Sequence, residues 1–416
     1  MRVRIHRGAH EIGGTCIELE ASDRRLVLDI GRPLDASEDD DVPLPAIAGL
    51  DGRDASLLGI VISHGHRDHW GLLEKVAPAV PIYVGEATRQ MLEQAAFFAS
   101  GALLNRAGSL RHREPFQLGP FTITPFLNDH SAFDTHSLLL EADSRRVFYS
   151  ADFQAHGRKA RLFDAFVAHP PTDIDLLLLE GTNLRPAADT EAAPAPLTEA
   201  DVEHALVHTF RATRGTVLAM YSAQNIDRLV TMFRACVRSG RTLVVDLYGA
   251  SVAAATGNQR IPQAGFDNLR VYVPQRQRVL VKTSGEFARV NDIRFARIFP
   301  EELAARAGEL VLTFRASMMR EVASAGCLDA ATAVWSMWRG YLDRPEQRRL
   351  LQFFESHGIP LVIHHTSGHA WLADLQRFAR ALAPRRVVPI HTQAPERFTE
   401  FFENVDLRRD GEWFEV

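Results

Sequence analysis

An apolar run that leads into a cluster of histidines constrains the fold of this chain more than any other feature. The residues LLGIVIS predict a buried β-strand, and the stretch VISHGHRDHWG overlaps its end. Six consecutive positions of this stretch hold three histidines and one aspartate: His64, His66, Asp68 and His69. The fold must therefore gather imidazole and carboxylate groups at the carboxyl end of a strand.

These side chains are of the type that binds zinc, which takes imidazole nitrogen and carboxylate oxygen as ligands. Four such groups on so short a loop are difficult to wrap around one ion, so the motif predicts two ions. The alternative is a polar loop that caps a helix, with Asp68 as the N-cap. Three adjacent imidazoles without a metal would repel one another on protonation, which favours metal binding.

Completing two zinc sites requires about three further ligands. These ligands should also follow predicted strands, and three residues meet that condition: His130 after FTITPFL, Asp152 after RVFYS and His391 after RRVVPI. His204 and His208 are spaced i, i+4 and offer another imidazole pair, but a solvated helix face is their expected role.

Composition describes an ordinary soluble protein. The 416 residues predict two or three domains, and 46% hydrophobic with 24% charged residues is typical of globular chains. The net charge of -5 does not attract polyanions globally, so any nucleic-acid surface must be local.

Cysteine usage and the apolar runs indicate a cytoplasmic protein. Cys16, Cys236 and Cys327 are far apart and form no CxxC pair, which argues against disulfides and against zinc bound through sulfur. The N-terminus lacks the apolar stretch of a secretory signal, and no run approaches the roughly 18 apolar residues of a membrane span. No membrane association is expected.

The first 185 residues are rich in predicted strands. The predicted strands are MRVRIH, TCIELE and residues 26–31, 57–64, 121–127, 137–142, 146–152 and 174–181. A Pro/Ala-rich stretch then leads to a helix with Thr198 as N-cap and Asp201 at N3, flanked by Leu197 and Val202 at staple positions.

An alternation of strands and helices follows, which is typical of an α/β domain. The pattern changes again after the predicted helix RRLLQFFESHG, where histidines once more follow apolar strands. We therefore expect a first domain from two segments, 1–186 and 356–416, and a second domain at 187–355.

These residues resemble the conserved motifs of a known superfamily. HGHRDH is the HxHxDH motif of metallo-β-lactamase-fold hydrolases, and further residues match its motifs in order along the chain: Asp29, the cluster at 64–69, His130 and Asp152. The resemblance implies that His64, His66 and His130 hold one zinc.

The second zinc, by the same resemblance, is held by Asp68, His69 and His391, and Asp152 bridges the two ions. Asp29 is then a residue that supports the metal loop by hydrogen bonding without ligating. A residue that forms a strand-ending turn is the alternative role for Asp29.

The inserted segment resembles the β-CASP domain of nucleic-acid-processing members of this superfamily. Glu180 in LEGT resembles motif A, His369 in HTSGHA motif B, and His391 in PIHTQ motif C. A histidine at motif C is typical of RNA-processing enzymes. The implied fold is α/β, a metallo-β-lactamase αββα sandwich with an inserted β-CASP α/β domain.

Within this family the chain most resembles ribonuclease J. The segments GAHEIGGTCIELE, SAQNIDRL and HTSGHA are similar to its glycine-rich loop, its SNxxR segment and its phosphate loop. Departures are Thr15 for a frequent asparagine, HSAFD for HSIPD and EGT for EST. Only 25 residues follow His391, whereas ribonuclease J usually carries a further domain there.

The resemblance implies a ribonuclease that hydrolyses RNA phosphodiester bonds with a hydroxide activated by two Zn²⁺, or by Mn²⁺ as the alternative metal. Asp68 would orient the nucleophile, and His369, supported by Glu180, would protonate the leaving oxygen. Ser367, Gly368 and His369 would bind a substrate phosphate. Single-stranded RNA is the expected partner, a homodimer is compatible with the resemblance, and endonuclease and 5′ exonuclease action both stay open.

A local basic strip agrees with an RNA partner. Residues 260–297 hold eight Lys and Arg but three Asp and Glu, a balance of +5. Tyr248, Tyr272 and Trp338 are candidates for stacking on bases, although such residues are more often part of the core.

Two other functions are compatible with the motifs. One keeps the metals but changes the substrate to single-stranded DNA or a small-molecule ester or lactone. The other is a non-catalytic, RNA-binding β-CASP scaffold, which the complete set of ligand positions disfavours.

Overall fold

The computed structural model of the chain describes residues 1–37, 40–99, 106–186 and 196–416. It divides into two compact units. The first comprises Met1–Ala96, Gly101–Ala195 and Gly368–Val416, and the second comprises Phe97–Ser100 and Pro196–Ser367. The second unit is therefore an insertion, in sequence, within the first.

The strands of the described residues are, in chain order, β1 Arg2–Arg7, β2 Cys16–Ala21, β3 Arg24–Leu28, β4 Leu57–Ile62, β5 Ile82–Gly85, β6 Arg106–Leu110, β7 Phe116–Leu118, β8 Phe121–Leu127, β9 His136–Ala142, β10 Arg145–Tyr149, β11 Leu176–Glu180, β12 Val217–Met220, β13 Thr242–Asp246, β14 Leu269–Tyr272, β15 Arg297–Ile298, β16 Leu310–Thr313, β17 Thr332–Trp335, β18 Leu361–Ile363, β19 Arg386–Ile390 and β20 Trp413–Glu415.

The α-helices are α1 Arg67–Trp70, α2 Glu86–Phe98, α3 Ala160–Ala168, α4 Glu199–Ala212, α5 Ile226–Ser239, α6 Leu247–Ala255, α7 Gln275–Ser284, α8 Ala288–Asn291, α9 Pro300–Ala305, α10 Met319–Ser324, α11 Arg348–Ser356, α12 Leu372–Leu382 and α13 Phe398–Phe401.

Two mixed sheets form the centre of the first unit. Their strand orders are β20-β1-β2-β3-β4-β5-β6 and β19-β11-β10-β9-β8-β7. One buried apolar cluster joins Ile17 and Leu28 of the first sheet to Leu140 and Leu178 of the second. The two sheets therefore pack face to face, and their shared apolar faces exclude water from the interior.

Helices cover the outer face of each sheet. Leu92 of α2 lies in a buried cluster with Ile62 of the first sheet. Phe163 of α3 and Phe378 of α12 lie in another cluster with Phe148 of the second sheet. Strand β11, LLLLE, is buried at every position because both of its faces are covered. The four-layer α/β sandwich expected from the sequence is confirmed.

The second unit is built on one seven-stranded sheet of order β15-β14-β13-β16-β12-β17-β18. Each adjacent pair in this sheet is parallel. Parallel neighbours require crossover connections, and the alternation of helices and strands in the sequence supplies them.

The second unit extends past the end predicted for it at residue 355. Leu361–Ile363 pairs in parallel with Thr332–Trp335, so this strand completes the sheet of the second unit, and the unit continues to Ser367. A change in the pattern of predicted helices and strands does not show which sheet a short apolar strand joins. The predicted start at residue 187 lies outside the described residues.

The eight strands predicted in the first 185 residues are present, several with ends that differ by a few residues. The structure adds short strands that the sequence did not predict, among them Ile82–Gly85, Phe116–Leu118 and Arg297–Ile298. A run of two to four residues is too short to show a period of two, which explains these omissions.

The three cysteines are free and buried. Among the helices that the structure describes, none combines the length and the apolar character that crossing a bilayer requires.

The predicted cap of α4 is present. The Thr198 hydroxyl accepts a hydrogen bond from the Asp201 backbone N–H at 3.1 Å, and the Thr198 N–H donates to the Asp201 carboxylate at 2.9 Å. Val202 is buried, whereas Leu197, the other predicted staple residue, is 43% exposed. The cap therefore depends on the reciprocal hydrogen bonds.

We predict that Thr198→Ala lowers the free energy of unfolding by about 1 kcal/mol, because it leaves an N-terminal amide of the helix without its acceptor. A denaturant titration followed by circular dichroism measures the change. Thr283→Ala is the matched control, since Thr283 is exposed within α7 and alanine is a good helix former. Equal stability of the two variants would contradict the role of the cap.

Candidate metal centre

The predicted ligands come together at the carboxyl ends of strands in the first unit. Strands β10, β11 and β19 are parallel neighbours, so their carboxyl ends share one edge of the sheet. The ligand residues follow β4, β8, β10 and β19 or lie on α1, and they are His64, His66, Asp68, His69, His130, Asp152 and His391.

These side chains form groups in which one potential ligand atom per residue lies within 4.8 Å of the others. The first group is His64, His66 and His130, and the second is Asp68, His69, Asp152 and His391. A third group contains Glu180, His369 and again His391. The structure thus brings the residues of each expected ligand set together, and Asp152 falls in the second group.

Asp152 lies beside both ligand sets. One of its carboxylate oxygens, Oδ2, is 3.1 Å from His69 Nε2 and 3.7 Å from His64 Nε2. In the second set, the Asp68 carboxylate is 3.2 Å from His391 Nε2. Asp152 therefore lies close to one histidine of each ligand set.

Two buried atoms of the centre are suited to contact a metal ion. His64 Nε2 and Asp152 Oδ1 are buried and have no hydrogen-bond partner within the described residues. Leaving a buried polar atom unsatisfied costs about 1–3 kcal/mol, and a cation satisfies both atoms. Nitrogen and carboxylate oxygen donors suit Zn²⁺ or Mn²⁺.

The charge states of the first ligand set also suit a metal. Burial holds the pKa of His64 and His130 well below the usual range, and neighbouring imidazoles lower it further. Both rings are therefore neutral at physiological pH, which is the state in which histidine binds a metal.

Asp29 lies behind the metal-binding residues and orients one of them. Its carboxylate is 2.8 Å from His69 Nδ1, which turns His69 Nε2 toward Asp152. The carboxylate also accepts hydrogen bonds from the Ser63 N–H at 2.7 Å, the Ser63 hydroxyl at 2.8 Å and the Tyr149 hydroxyl at 2.5 Å. Such contacts fix the tautomer and orientation of a ligand histidine.

The backbone beside the centre has an unusual conformation. Asp29, Ala151 and His391 have φ values of 56°, 49° and 50°, in the left-handed region that residues other than glycine rarely adopt. At Gly31 an added Cβ would lie 1.7 Å from the Asp68 carbonyl oxygen, so only glycine fits there. The loop after β3 therefore packs directly against α1.

His391 and His369 each have a partner that fixes the ring. The Thr182 hydroxyl is 2.8 Å from His391 Nδ1, which leaves His391 Nε2 facing Asp68. His369 Nδ1 is 3.4 Å from Glu180 Oε1. Burial opposes a charge on His369, but the carboxylates of Glu180 and Asp152 raise its pKa to about 9.

The predicted phosphate loop reaches the centre through Gly368. The Gly368 carbonyl is 2.7 Å from His130 Nδ1, so this backbone holds a ligand histidine of the first set. Ser367 is the last residue of the second unit.

The stacking candidates fall into different environments. Tyr272 is 2% exposed and its hydroxyl donates to Glu321 at 2.8 Å, so of its two expected roles the core one applies. Tyr248 is half-buried, and the Arg315 guanidinium lies 5.1 Å from its ring centroid. Trp338 is 59% exposed.

Sequence reasoning did not identify Ser63, Tyr149 and Thr182 as partners of site residues. Each lies within three positions of a predicted site residue, which is the one signal the sequence offers. The partner of Tyr149 is 120 positions away, so its role requires the fold.

We predict that Asp29→Asn lowers metal affinity about 10- to 100-fold, because an amide is a weaker acceptor than a carboxylate for the His69 N–H. Competition with a chromophoric chelator measures the affinity. Asp23→Asn is the matched control, since Asp23 is exposed and has a similar φ of 57°. Unchanged affinity in Asp29→Asn would leave Asp29 with the turn-forming role alone.

Comparison with known proteins agrees with this fold. The beta-lactamase superfamily domain matches residues 34–220. Ribonuclease J of Mycobacterium tuberculosis is 23% identical over 411 residues, which cover 94% of this chain and 68% of that protein. Ribonuclease J of Helicobacter pylori is 22% identical over 444 residues, which cover 98% of this chain and 60% of that protein.

A solved structure supports the fold over the whole chain. The crystal structure of a protein of unknown function from Enterococcus faecalis V583 has a TM-score of 0.79 and 21% identity, with 99% of each chain covered. Part of the chain is thus similar to the beta-lactamase superfamily domain, and nearly all of it is similar, at low identity, to ribonuclease J proteins.

Proposed function

We propose that this chain is a metal-dependent ribonuclease that hydrolyses RNA phosphodiester bonds. The observation that carries the proposal is the pair of ligand sets beside Asp152. His369 is paired with Glu180, and its Nδ1 lies 3.8 Å from the same Asp152 carboxylate. The names of the relatives in Mycobacterium tuberculosis and Helicobacter pylori support RNA as the substrate class.

In this proposal each ligand set would hold one ion, zinc in the first instance and manganese as the alternative. His64, His66 and His130 would hold one ion, and Asp68, His69 and His391 would hold the other. Asp152 would contribute its carboxylate to both. Diester hydrolysis is slow because water is a weak nucleophile and the charged phosphoryl oxygens repel it. When bound, two divalent ions would activate the water and neutralise that charge.

The residues of the chain supply orientation and proton transfer. Asp68, held 3.2 Å from His391, accepts a proton from the attacking water and orients it. His369 donates a proton to the leaving oxygen, since this oxygen departs with negative charge that protonation relieves.

Glu180 is suited to hold His369 in place. Its carboxylate is fully buried, and its Oε2 accepts a hydrogen bond from the Thr182 N–H at 3.0 Å. Its Oε1 is 3.4 Å from His369 Nδ1 and accepts from the Ala370 N–H at 3.3 Å. A carboxylate fixed by these contacts keeps the imidazole in one orientation and stabilises its protonated form.

Binding of the substrate phosphate is assigned to the loop before α12. We propose that the N–H of Gly368 and the ring of His369 contact a phosphate oxygen, and that Ser367 adds its hydroxyl. The Gly368 carbonyl already contacts His130, so the same loop supports a metal ligand through one face of its backbone.

Metal content and RNA cleavage test the proposal together. We predict that the purified protein contains metal and cuts RNA faster than DNA of the same sequence, and that Asp68→Ala loses both metal and cleavage. Atomic absorption and end-labelled oligonucleotides measure the two quantities. Equal cleavage of DNA, hydrolysis of esters alone, or an Asp68→Ala variant that cuts RNA at the normal rate would each contradict it.

We further predict that His369→Ala keeps its metal but cleaves RNA about 10²- to 10⁴-fold more slowly, because the leaving oxygen loses its proton donor. Single-turnover rates with the metal content measured in parallel show the effect. His204→Ala is the control, since His204 is exposed on α4. Loss of metal in His369→Ala would instead make His369 a ligand in the group with Glu180 and His391.

A further inference from the structure

Two phenylalanines of the second unit are unusually exposed. Phe295 is 68% exposed and Phe299 is 46% exposed, and they flank the two-residue strand β15. A scattered apolar residue on a surface is normal, but neighbouring aromatic rings that stay in water are typical of a binding surface. This segment overlaps the basic strip found in the sequence.

Burial alternates along this segment. Phe295 and Phe299 are exposed and Arg297 is half-buried, whereas Ala296 and Ile298 between them are 3% and 2% exposed. The Arg297 guanidinium lies 4.7 Å from the Phe299 ring centroid. The segment therefore presents a ladder of a ring, a guanidinium and a second ring.

The ladder lies at an edge of the sheet. Strand β15 is the first in the strand order, and its described partner is β14 alone. A Cβ added to the exposed Gly265 would lie 3.8 Å from the Phe295 ring, so this ring stands over a glycine rather than packing into the interior. Both rings are therefore accessible to a ligand from solvent.

The sequence on the N-terminal side of the ladder is rich in positively charged residues. Residues 260–297 carry a balance of +5 in a chain of net charge -5. Arg278 and Arg289 pair with Glu321 and Glu286. Arg294 and Lys282 are exposed and form no ion pair within the described ranges. Much of the positive charge is therefore available to a polyanion.

We propose that Arg294, Phe295, Arg297 and Phe299, the aromatic–basic surface, bind single-stranded RNA outside the metal centre. Bases stack on the two rings, and the guanidinium groups contact phosphates. The proposal rests on the proposed function for its choice of RNA. It adds a second place on the chain where the substrate is held.

A second copy of the chain is the other occupant that an edge strand suggests. In a two-fold symmetric contact the same patch faces itself, so Arg294 and Arg297 would face cations of the other copy. A strand of two residues also offers few hydrogen bonds for pairing. RNA brings opposite charge and planar bases, so it fits this surface better.

Fluorescence anisotropy with a labelled 20-residue oligouridine tests the surface, in an Asp68→Ala background that is expected not to cut it. We predict that Phe295→Leu with Phe299→Leu weakens binding about 10-fold or more, because leucine keeps apolar area but not a stacking face. Tyrosine at both positions should restore binding. Arg294→Gln with Arg297→Gln should reduce the salt slope of log K by about 0.7 for each phosphate that the variant no longer neutralises.

Two exposed residues elsewhere in the second unit serve as controls: Val237→Ala on α5 and Arg349→Gln on α11 should bind like the background protein. Thermal melts show that all variants are folded. Unchanged affinity in the leucine pair overturns the proposal. So does conversion of a dimer into a monomer by the leucine pair in light scattering, since that makes the surface an interface between copies.

The two proposals fail separately. A wild-type protein that binds oligouridine through this surface but cuts no RNA contradicts the ribonuclease proposal alone. A wild-type protein that cuts RNA, while the leucine pair binds it with undiminished affinity, contradicts the aromatic–basic surface alone.

Discussion

A buried carboxylate, Asp29, links the two sheets of the first unit to the helix that carries Asp68 and His69, two of the candidate metal ligands. It accepts hydrogen bonds from Ser63 after β4 and from Tyr149 at the end of β10, and it holds the His69 ring on α1. A charge without any exposed surface is costly unless it is hydrogen-bonded, and here four donors surround it. The same contacts that make the buried charge tolerable therefore set the geometry of the metal centre.

The rest of the site follows from this arrangement of strand ends. Neighbouring parallel strands bring Asp152, Glu180 and His391 to one edge of the sheet, and the layered sandwich holds that edge rigid. Left-handed backbone at Ala151 and His391 turns the chain sharply as each strand ends. Strain of this kind persists only where the surrounding packing fixes it, and both residues lie in a fully packed sandwich.

Much of the centre could be predicted from the sequence because its ligands are marked locally. The cluster from His64 to His69 is contiguous, and the distant ligands each follow a long apolar strand. The contacts that orient these ligands could not be predicted, because Tyr149 meets Asp29 only once two sheets have packed together. The sequence also did not show which aromatic residues of the basic strip are exposed to solvent. Tyr272 is a core residue and Phe295 is at the surface, although both belong to the same basic strip of the sequence.

The two proposed places of RNA binding have different consequences for specificity. Two-metal hydrolysis acts on a phosphodiester whichever sugar it joins, and stacking on phenylalanine is open to every base. The aromatic–basic surface therefore raises affinity for single strands without choosing among them. Discrimination between RNA and DNA must come from groups that meet the 2′-hydroxyl close to the scissile bond, since that hydroxyl is the chemical difference at each nucleotide. Affinity and selectivity thus belong to different residues of the chain.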